Sequence, residues 1–169
     1  MASGPGARRP GRRPADDVPG RPCSIAAALA VVGERWALLA IREISFGNRR
    51  FDQIARNTGA ARDILTARLR SLEDAGVIYR RRYQEHPPRF EYHLTEAGKE
   101  LRPALNALRV WGDRWIVEEP PVVFTHSCGH PLDEASVCGH CGNPVRLDDK
   151  ADWSYRVVAS GWDIHGPTA

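Results

Sequence analysis

A change of period in the middle of the chain constrains its fold more than any other feature. From about Ala60 to Asp74 the apolar residues Leu65, Leu69 and Leu72 recur at helical spacing, and directly after Gly76 the spacing drops to two. Val77, Tyr79 and Arg81 alternate with Ile78, Arg80 and Arg82, which predicts a strand ending near Tyr83. Pro87-Pro88 forbids its continuation. Phe90, Tyr92 and Leu94 then alternate with Glu91 and His93 as a returning strand, so residues 77–94 read as a β-hairpin with a proline-bearing tip. Gly76 stands where a left-handed helix cap is expected.

The flanking segments extend this pattern. Ile25, Leu29 and Val32 have helical spacing from Ser24, and after Gly33 a second set, Trp36, Ala40, Ile41 and Ile44, repeats it. Gly47-Asn48 breaks the chain, Phe51, Ile54 and Ala55 predict a third short helix, and Asn57-Thr58-Gly59 is a turn signal before the helix at Ala60. On the far side of the hairpin, Thr95 is a good N-cap for a helix bearing Ala97, Leu101, Leu105, Leu108, Trp111 and Trp115. Pro103 within it either kinks the helix or marks its true first turn. The fold class that follows is mainly α with a small β-hairpin, a winged helix-turn-helix, followed by a small Cys/His-containing C-terminal extension.

Three domains are expected: a disordered basic arm over residues 1–22, a winged helix-turn-helix DNA-binding and dimerisation domain over 23–117, and an extension over 118–169. The arm is Gly/Pro/Arg-rich with nothing to bury; Arg8, Arg9, Arg12 and Arg13 touch phosphates or form an inert leader. It has no apolar stretch of the kind a secretory signal requires, and the chain has no run approaching the roughly 20 apolar residues of a membrane span. A cytoplasmic protein without a membrane partner is the expectation. Charge is segregated: residues 1–22 carry +3, residues 49–102 carry +4 and residues 118–169 carry −5. A protein that meets a polyanion with one face has this distribution, as does a solvated surface with uneven charge.

The helix at Ala60 gives the functional reading. With Leu65, Leu69 and Leu72 inward, a turn of about 100° per residue puts Asp63, Ala67 and Arg70 on the opposite face, with Arg62 and Thr66 flanking it. Arginine suits guanine, threonine meets a base or the thymine methyl, and a small alanine lets a helix sit deep in a groove. A lone helix with these residues would read as a solvated surface. Here the hairpin adds Arg80, Arg81, Arg82 and Arg89, and the loop before the third helix adds Arg49 and Arg50, all suited to phosphate. The DNA-binding set is therefore Arg49, Arg50, Arg62, Asp63, Thr66, Ala67, Arg70, Arg80, Arg82 and Arg89.

These residues also carry a resemblance. Cys23, Gly33-Glu34-Arg35-Trp36, Arg50-Phe51-Asp52-Gln53-Ile54, the run from Leu65 to Ile78, and Tyr92-His93-Leu94-Thr95-Glu96-Ala97-Gly98 resemble, over roughly residues 23–116, the HxlR-type family of winged-helix regulators. The resemblance implies a sequence-specific transcriptional regulator, a homodimer held by its terminal helices on a palindromic double-stranded DNA operator. It departs from the family where Glu34-Arg35 replaces the commoner Gly-Lys before the tryptophan, and where residues 118–169 run past the minimal domain. Some relatives with a cysteine at the position of Cys23 resemble redox or electrophile sensors, so a redox role for Cys23 is set beside that of a packed thiol; the small-molecule or redox effector is unknown. A helix N-terminus at Cys23 would lower a thiol pKa.

The extension holds three of the four cysteines, with His126, His130 and His140 among them. Cys138-Gly139-His140-Cys141 has metal-knuckle spacing, and Cys128 lies ten residues before Cys138. Zinc held by His126, Cys128, Cys138 and Cys141 is one expectation; reduced surface thiols are the other, because a second Cys-x-x-Cys is missing. No nucleophile motif or phosphate-binding glycine loop is present, so no enzyme is expected. The alternative functions are a protein-interaction module on a winged-helix scaffold with a zinc-stabilised appendage, and a thiol- or zinc-dependent enzyme using Cys128, Cys138 and Cys141. Salt-sensitive binding to particular DNA sequences, a DNA-independent pull-down, and zinc with an open water position separate the three.

Overall fold

The helix α2 (Arg35–Ser45) organises the molecule, because Ala37, Ala40, Ile41 and Ile44 bury one continuous stripe of it. Around that stripe, in this computed structural model, pack α3 (Phe51–Thr58), α4 (Arg62–Asp74) and part of the hairpin. The structure describes residues 23–132, 137, 139–143, 162–163 and 166–167. The arm over residues 1–22 and Cys138 therefore lie outside the described residues, as does most of the chain beyond residue 143.

The chain divides into two compact units, one ending at Leu105 and one starting at Asn106. In the first, α1 (Ser24–Val32) precedes α2, and the core joins Val32 to Ile54 of α3, to Leu65, Leu69 and Leu72 of α4, and to Val77, Ile78 and Leu94. The leucine stripe of α4 is fully enclosed, as its spacing predicts. The helix starts at Arg62 rather than near Ala60, because Gly59 takes the left-handed conformation (φ 73°) and Ala60-Ala61 complete the turn. Gly76 (φ 70°) is the expected left-handed residue after α4.

The hairpin pairs β1 (Ile78–Gln84) with β2 (Arg89–Leu94) in antiparallel register, Ile78 opposite Leu94 and Arg82 opposite Phe90, with an irregularity between Arg82 and Gln84. The two-residue alternation sets neighbouring side chains on opposite faces but does not fix how far either face is buried. Only the base is buried: Ile78, His93 and Leu94 are inside, while residues 79–83 of β1 are exposed on both faces. A two-stranded ribbon reaching past its core has nothing to bury against, so it behaves as a wing. Residues 49–50 join it, since Arg50 bridges Glu91 and the Tyr92 N–H donates to the Arg49 carbonyl at 2.8 Å.

The Leu94-Thr95-Glu96-Ala97-Gly98 motif closes the hairpin through specific contacts. The Thr95 hydroxyl donates to the Gly76 carbonyl at 2.7 Å and accepts from the Gly98 N–H at 3.2 Å, capping α5 (Glu96–Lys99). A Cβ on Gly98 would stand 2.2 Å from the Val77 carbonyl oxygen, so only glycine lets α5 approach the strand. Of the two readings of Pro103, the true first turn holds: α6 (Arg102–Trp115) is a separate helix with Pro103 at its second position.

Leu101 and Leu105 pack on the edge of the core. In the second unit Arg109 forms an ion pair with Asp113 at 2.7 Å, lies 4.9 Å from the Phe124 ring centre and donates to the Leu132 carbonyl at 2.5 Å. Two short strands, β3 (Trp162–Asp163) and β4 (Gly166–Pro167), pair antiparallel. Among the described residues no single helix is long and apolar enough to cross a membrane; α1 and α2 reach the required length only as a pair bent by 78°.

Candidate nucleic-acid interface

Glu43 fixes the frame on which the helix-turn-helix stands. Its carboxylate is buried in α2 and accepts from Arg42, from Asn48 at 2.8 Å and from Asn57 at 2.9 Å, tying α2 to the loop before α3 and to the end of α3. Burial pushes this carboxyl up, but the Asn57, Arg42 and Asn48 hydrogen bonds and the Arg42 charge outweigh it, and the group stays below its ordinary range. The turn between α3 and α4 is thereby held in register with the core.

On α4, Arg62, Asp63, Thr66, Ala67 and Arg70 are all exposed, and the structure divides them. Arg62 turns toward α3, where it pairs with Asp52 at 2.8 Å and lies over the Phe51 ring at 4.8 Å. Both partners are largely exposed, and such a pair is worth at most about 1 kcal/mol, so a nucleic-acid group can replace Asp52. The Thr66 hydroxyl donates to the Arg62 carbonyl at 2.7 Å and keeps its lone pairs free to accept. Ala67 and Arg70 border a shallow cleft of about 400 Å³ against Ala30 and Val31 of α1. The N-terminal half of α4 is thus its open end.

The wing is ordered by arginine and aromatic stacking. Arg80 and Arg82, two residues apart on one face of β1, both lie over Phe90, at 5.4 and 5.6 Å. Arg80 also pairs with Glu73 of α4 at 2.8 Å and Arg82 with Glu85 at 2.8 Å. Arg50 lies over Tyr83 at 4.7 Å and reaches Glu91 at 3.7 Å, which also accepts from Arg81 at 3.4 Å. Arg49, Arg70 and Arg89 are exposed, with no ion pair among the described residues.

Between α3 and the wing lies an open cleft of about 710 Å³ lined by Arg50, Arg56, Arg89 and the rings of Phe51, Tyr83 and Tyr92, among others. Arg56 and Tyr83 were not legible as site residues, because each joins the others only through the bridge of residues 49–50 to β2. Ile64 was missed as well: it is 40% exposed on α4, where the helical period alone marks it as neither core nor polar face. An exposed isoleucine there suits a thymine methyl.

His93 sits beneath the wing, stacked on Tyr79 at 5.3 Å, with Nε2 buried and 3.6 Å from the Glu91 carboxylate. Burial, then the Arg49 and Arg81 charges, hold its pKa below the ordinary value, against the opposing pull of Glu91. Cys23 is a partly exposed free thiol at the N-cap of α1. In the second unit His126 Nδ1 lies 3.0 Å from Cys128 Sγ, while Cys141 is an exposed free thiol in a turn.

A trihelical core, a helix with an open polar face and an arginine-rich wing define a winged helix-turn-helix DNA-binding fold. Residues 31–120 match the HxlR-like helix-turn-helix family model, and the chain belongs to that family of transcriptional regulators. It is 46% identical over 125 residues, 72% of this chain and 79% of the relative, to the uncharacterized HTH-type transcriptional regulator Rv3095 of Mycobacterium tuberculosis. A Synechocystis regulator of the same description, sll1512, is 39% identical over 59% of this chain and 75% of its own length. Among solved structures, PA1607, a candidate transcription factor, superposes with TM-score 0.70 at 32% identity, covering 82% of this chain and 95% of its own. The redox regulator HypR in its reduced form superposes with TM-score 0.52 at 31% identity, covering 57% and 98%.

Proposed function

We propose that this regulator binds a palindromic DNA operator as a homodimer, with α4 in the major groove and the wing on the phosphate backbone. The observation that carries the reading is the convergence of three arginine sources on one unit: the open end of α4, the Arg49-Arg50 segment bridged to β2, and the stacked wing. Arg62, Asp63, Thr66, Ala67 and Arg70 face the bases, whereas Arg49, Arg50, Arg80, Arg82 and Arg89 meet phosphates. The homodimer rests on α6, whose Leu108, Trp111 and Trp115 are 54%, 57% and 68% exposed. Such a stripe of aromatic and aliphatic surface on a helix with no buried residue suits a second copy.

Selection of bound sites from random duplexes should return an inverted repeat. Replacing Arg80, Arg82 and Arg89 together by Ala should weaken binding to all sequences and flatten the salt dependence by up to about 0.9 for each phosphate no longer neutralised. An unchanged slope would take the wing off the DNA, and a pull-down that recovers only protein partners would favour the interaction-module reading.

Cys23 is the site through which an oxidant or electrophile would act as effector. This is supported by its place at the N-terminus of α1 and by the likeness to the redox regulator HypR. Operator affinity that responds to diamide in the parent but not in Cys23→Ser would bear this out; an equal response in both would remove it.

A further inference from the structure

Glu91 stands between two arginines because of the strand register. Arg81 lies directly opposite it on β1, and Arg50 lies opposite it on the other edge, through the bridge that joins residues 49–50 to β2. The carboxylate meets both at long range, Arg81 at 3.4 Å and Arg50 at 3.7 Å. Both arginine side chains are more than half exposed, whereas the carboxylate between them is sheltered. Cations placed in this way are loosely held and within reach of another anion.

A third group that can carry positive charge stands on the same face. The strand period puts His93 two residues from Glu91 on one side of β2, opposite Tyr79, on whose ring it stacks. His93 Nε2 is buried without a hydrogen-bond partner, 3.6 Å from the Glu91 carboxylate and beyond bonding length. The charges that act on this imidazole come from Arg49 in the loop, Arg81 of β1 and Glu91 of β2. The helices α2, α3 and α5 also pack against β2 and, among the described residues, bring no charge that acts on it. Burial, then the two arginines, disfavour the imidazolium, and Glu91 favours it. The ring is thus kept neutral while the arginines stay where they are.

Phosphate changes that arrangement. In the operator reading, on which this inference rests, Arg49 and Arg50 meet the DNA backbone. An Arg50 drawn outward leaves Glu91 short of positive charge, and an Arg49 neutralised by phosphate no longer repels the imidazole. A neutral imidazole can donate from Nε2 to Glu91, but only the imidazolium also replaces the lost charge. We propose that Glu91 is a positioning residue that holds Arg50 for phosphate, and that His93 takes up a proton and replaces Arg50 on Glu91 when DNA binds. The proton comes from solvent and stays on the imidazole, with Nε2–H donating to the carboxylate. DNA binding and protonation are therefore linked, and each favours the other.

The linkage has a defined sign. Above the imidazole pKa of the DNA complex no proton is taken up, and affinity does not depend on this group. Between that pKa and the lower one of the free protein, affinity rises as pH falls, by up to about tenfold per pH unit, the limit for one proton. Below the lower pKa the affinity levels off.

The test uses the full chain and a duplex from bound-site selection, with binding followed by fluorescence anisotropy at fixed ionic strength from about pH 5 to about pH 8. Affinity of the parent should rise as pH falls. His93→Gln and Glu91→Gln should each lose that rise, whereas His86→Gln, at the exposed wing tip, should keep it. In the parent labelled with carbon-13 histidine, the His93 ring resonance should titrate at higher pH with DNA than without, a reading that needs no variant to bind. A rise as steep in His93→Gln as in the parent, or a His93 titration that DNA does not move, would overturn the coupling. Because Arg49 and Arg50 meet phosphate and not bases, a random duplex at low salt serves the same titration. Absence of any preferred sequence therefore counts against the operator reading, an unmoved His93 counts against the coupling, and a chain that binds no duplex at all would overturn both.

Discussion

The helices α4 and α6 are nearly equal in length, 13 and 14 residues, and both are amphipathic, yet they spend their apolar sides differently. On α4 the leucine stripe is consumed by the core, and what remains outside is mostly polar, Arg62, Asp63, Thr66 and Arg70, with Ala67 and the partly exposed Ile64 among them. On α6 no residue is buried, and what remains outside is Leu108, Trp111 and Trp115. Helix pattern alone does not tell these cases apart, since both show the period of about 3.6. The surface left over after the core has formed is what the proposed partners rest on: a polyanion for α4, a second apolar surface for α6.

The sharpest way to break this contrast is to truncate one leucine on each helix. Leu69→Ala should cost about 2–5 kcal/mol of folding stability, because it opens a cavity in a closed core. Leu108→Ala should leave protomer stability within about 0.5 kcal/mol. Urea titrations of dilute protein check both, and an equal loss would mean that α6 is core after all.

Next in size is the aromatic pair. Trp111→Ala with Trp115→Ala should weaken self-association by about 2–4 kcal/mol per well-seated tryptophan, converting dimer to monomer at micromolar concentration. Sedimentation shows the change, and an unaltered sedimentation coefficient would leave the stripe without its second copy.

The polar side of α4 follows. Arg62→Ala and Arg70→Ala should each cost about 1–3 kcal/mol at the selected operator where the side chain reaches a base, with less loss on random DNA. Because Arg62 stands at the open end of the helix and Arg70 beside the cleft against α1, the larger discrimination is expected at Arg62. Equal losses on operator and random duplexes, measured by fluorescence anisotropy, would make both arginines phosphate ligands.

The smallest effect belongs to the base of the wing. His93 is held neutral in the folded chain, whereas the unfolded chain takes up its proton near pH 6.5. Stability should therefore fall as pH drops below about 6.5 and level off below the depressed folded pKa, the unfolded state binding the extra proton throughout that window. His93→Gln should flatten this part of the thermal-melting profile. An unchanged slope would assign the acid sensitivity to other groups.

How much was legible before folding differs between the two surfaces. The core of α4, the Gly76 cap, the Thr95 cap and the hairpin over residues 77–94 all follow from period and turn chemistry. The wing's burial did not follow, because alternation predicts a buried face only where something stands beyond the strand. Arg56 and Tyr83 escaped notice for a related reason: the cleft they line exists only once residues 49–50 have bridged to β2, a pairing some forty residues apart in sequence.

By itself the sequence determined the order of helices, hairpin and extension, the leucine stripe that closes the core, and the residue types available to meet DNA, since these depend on local period and composition. Only the tertiary structure decided that Arg62 leans on Asp52 at 2.8 Å, that Arg80 and Arg82 share Phe90, that α6 keeps its tryptophans outside, and that His126 stands 3.0 Å from Cys128. The physical reason is range. Periodicity reports what neighbours along the chain do together, whereas partner choice depends on which surfaces meet after the chain has closed on itself.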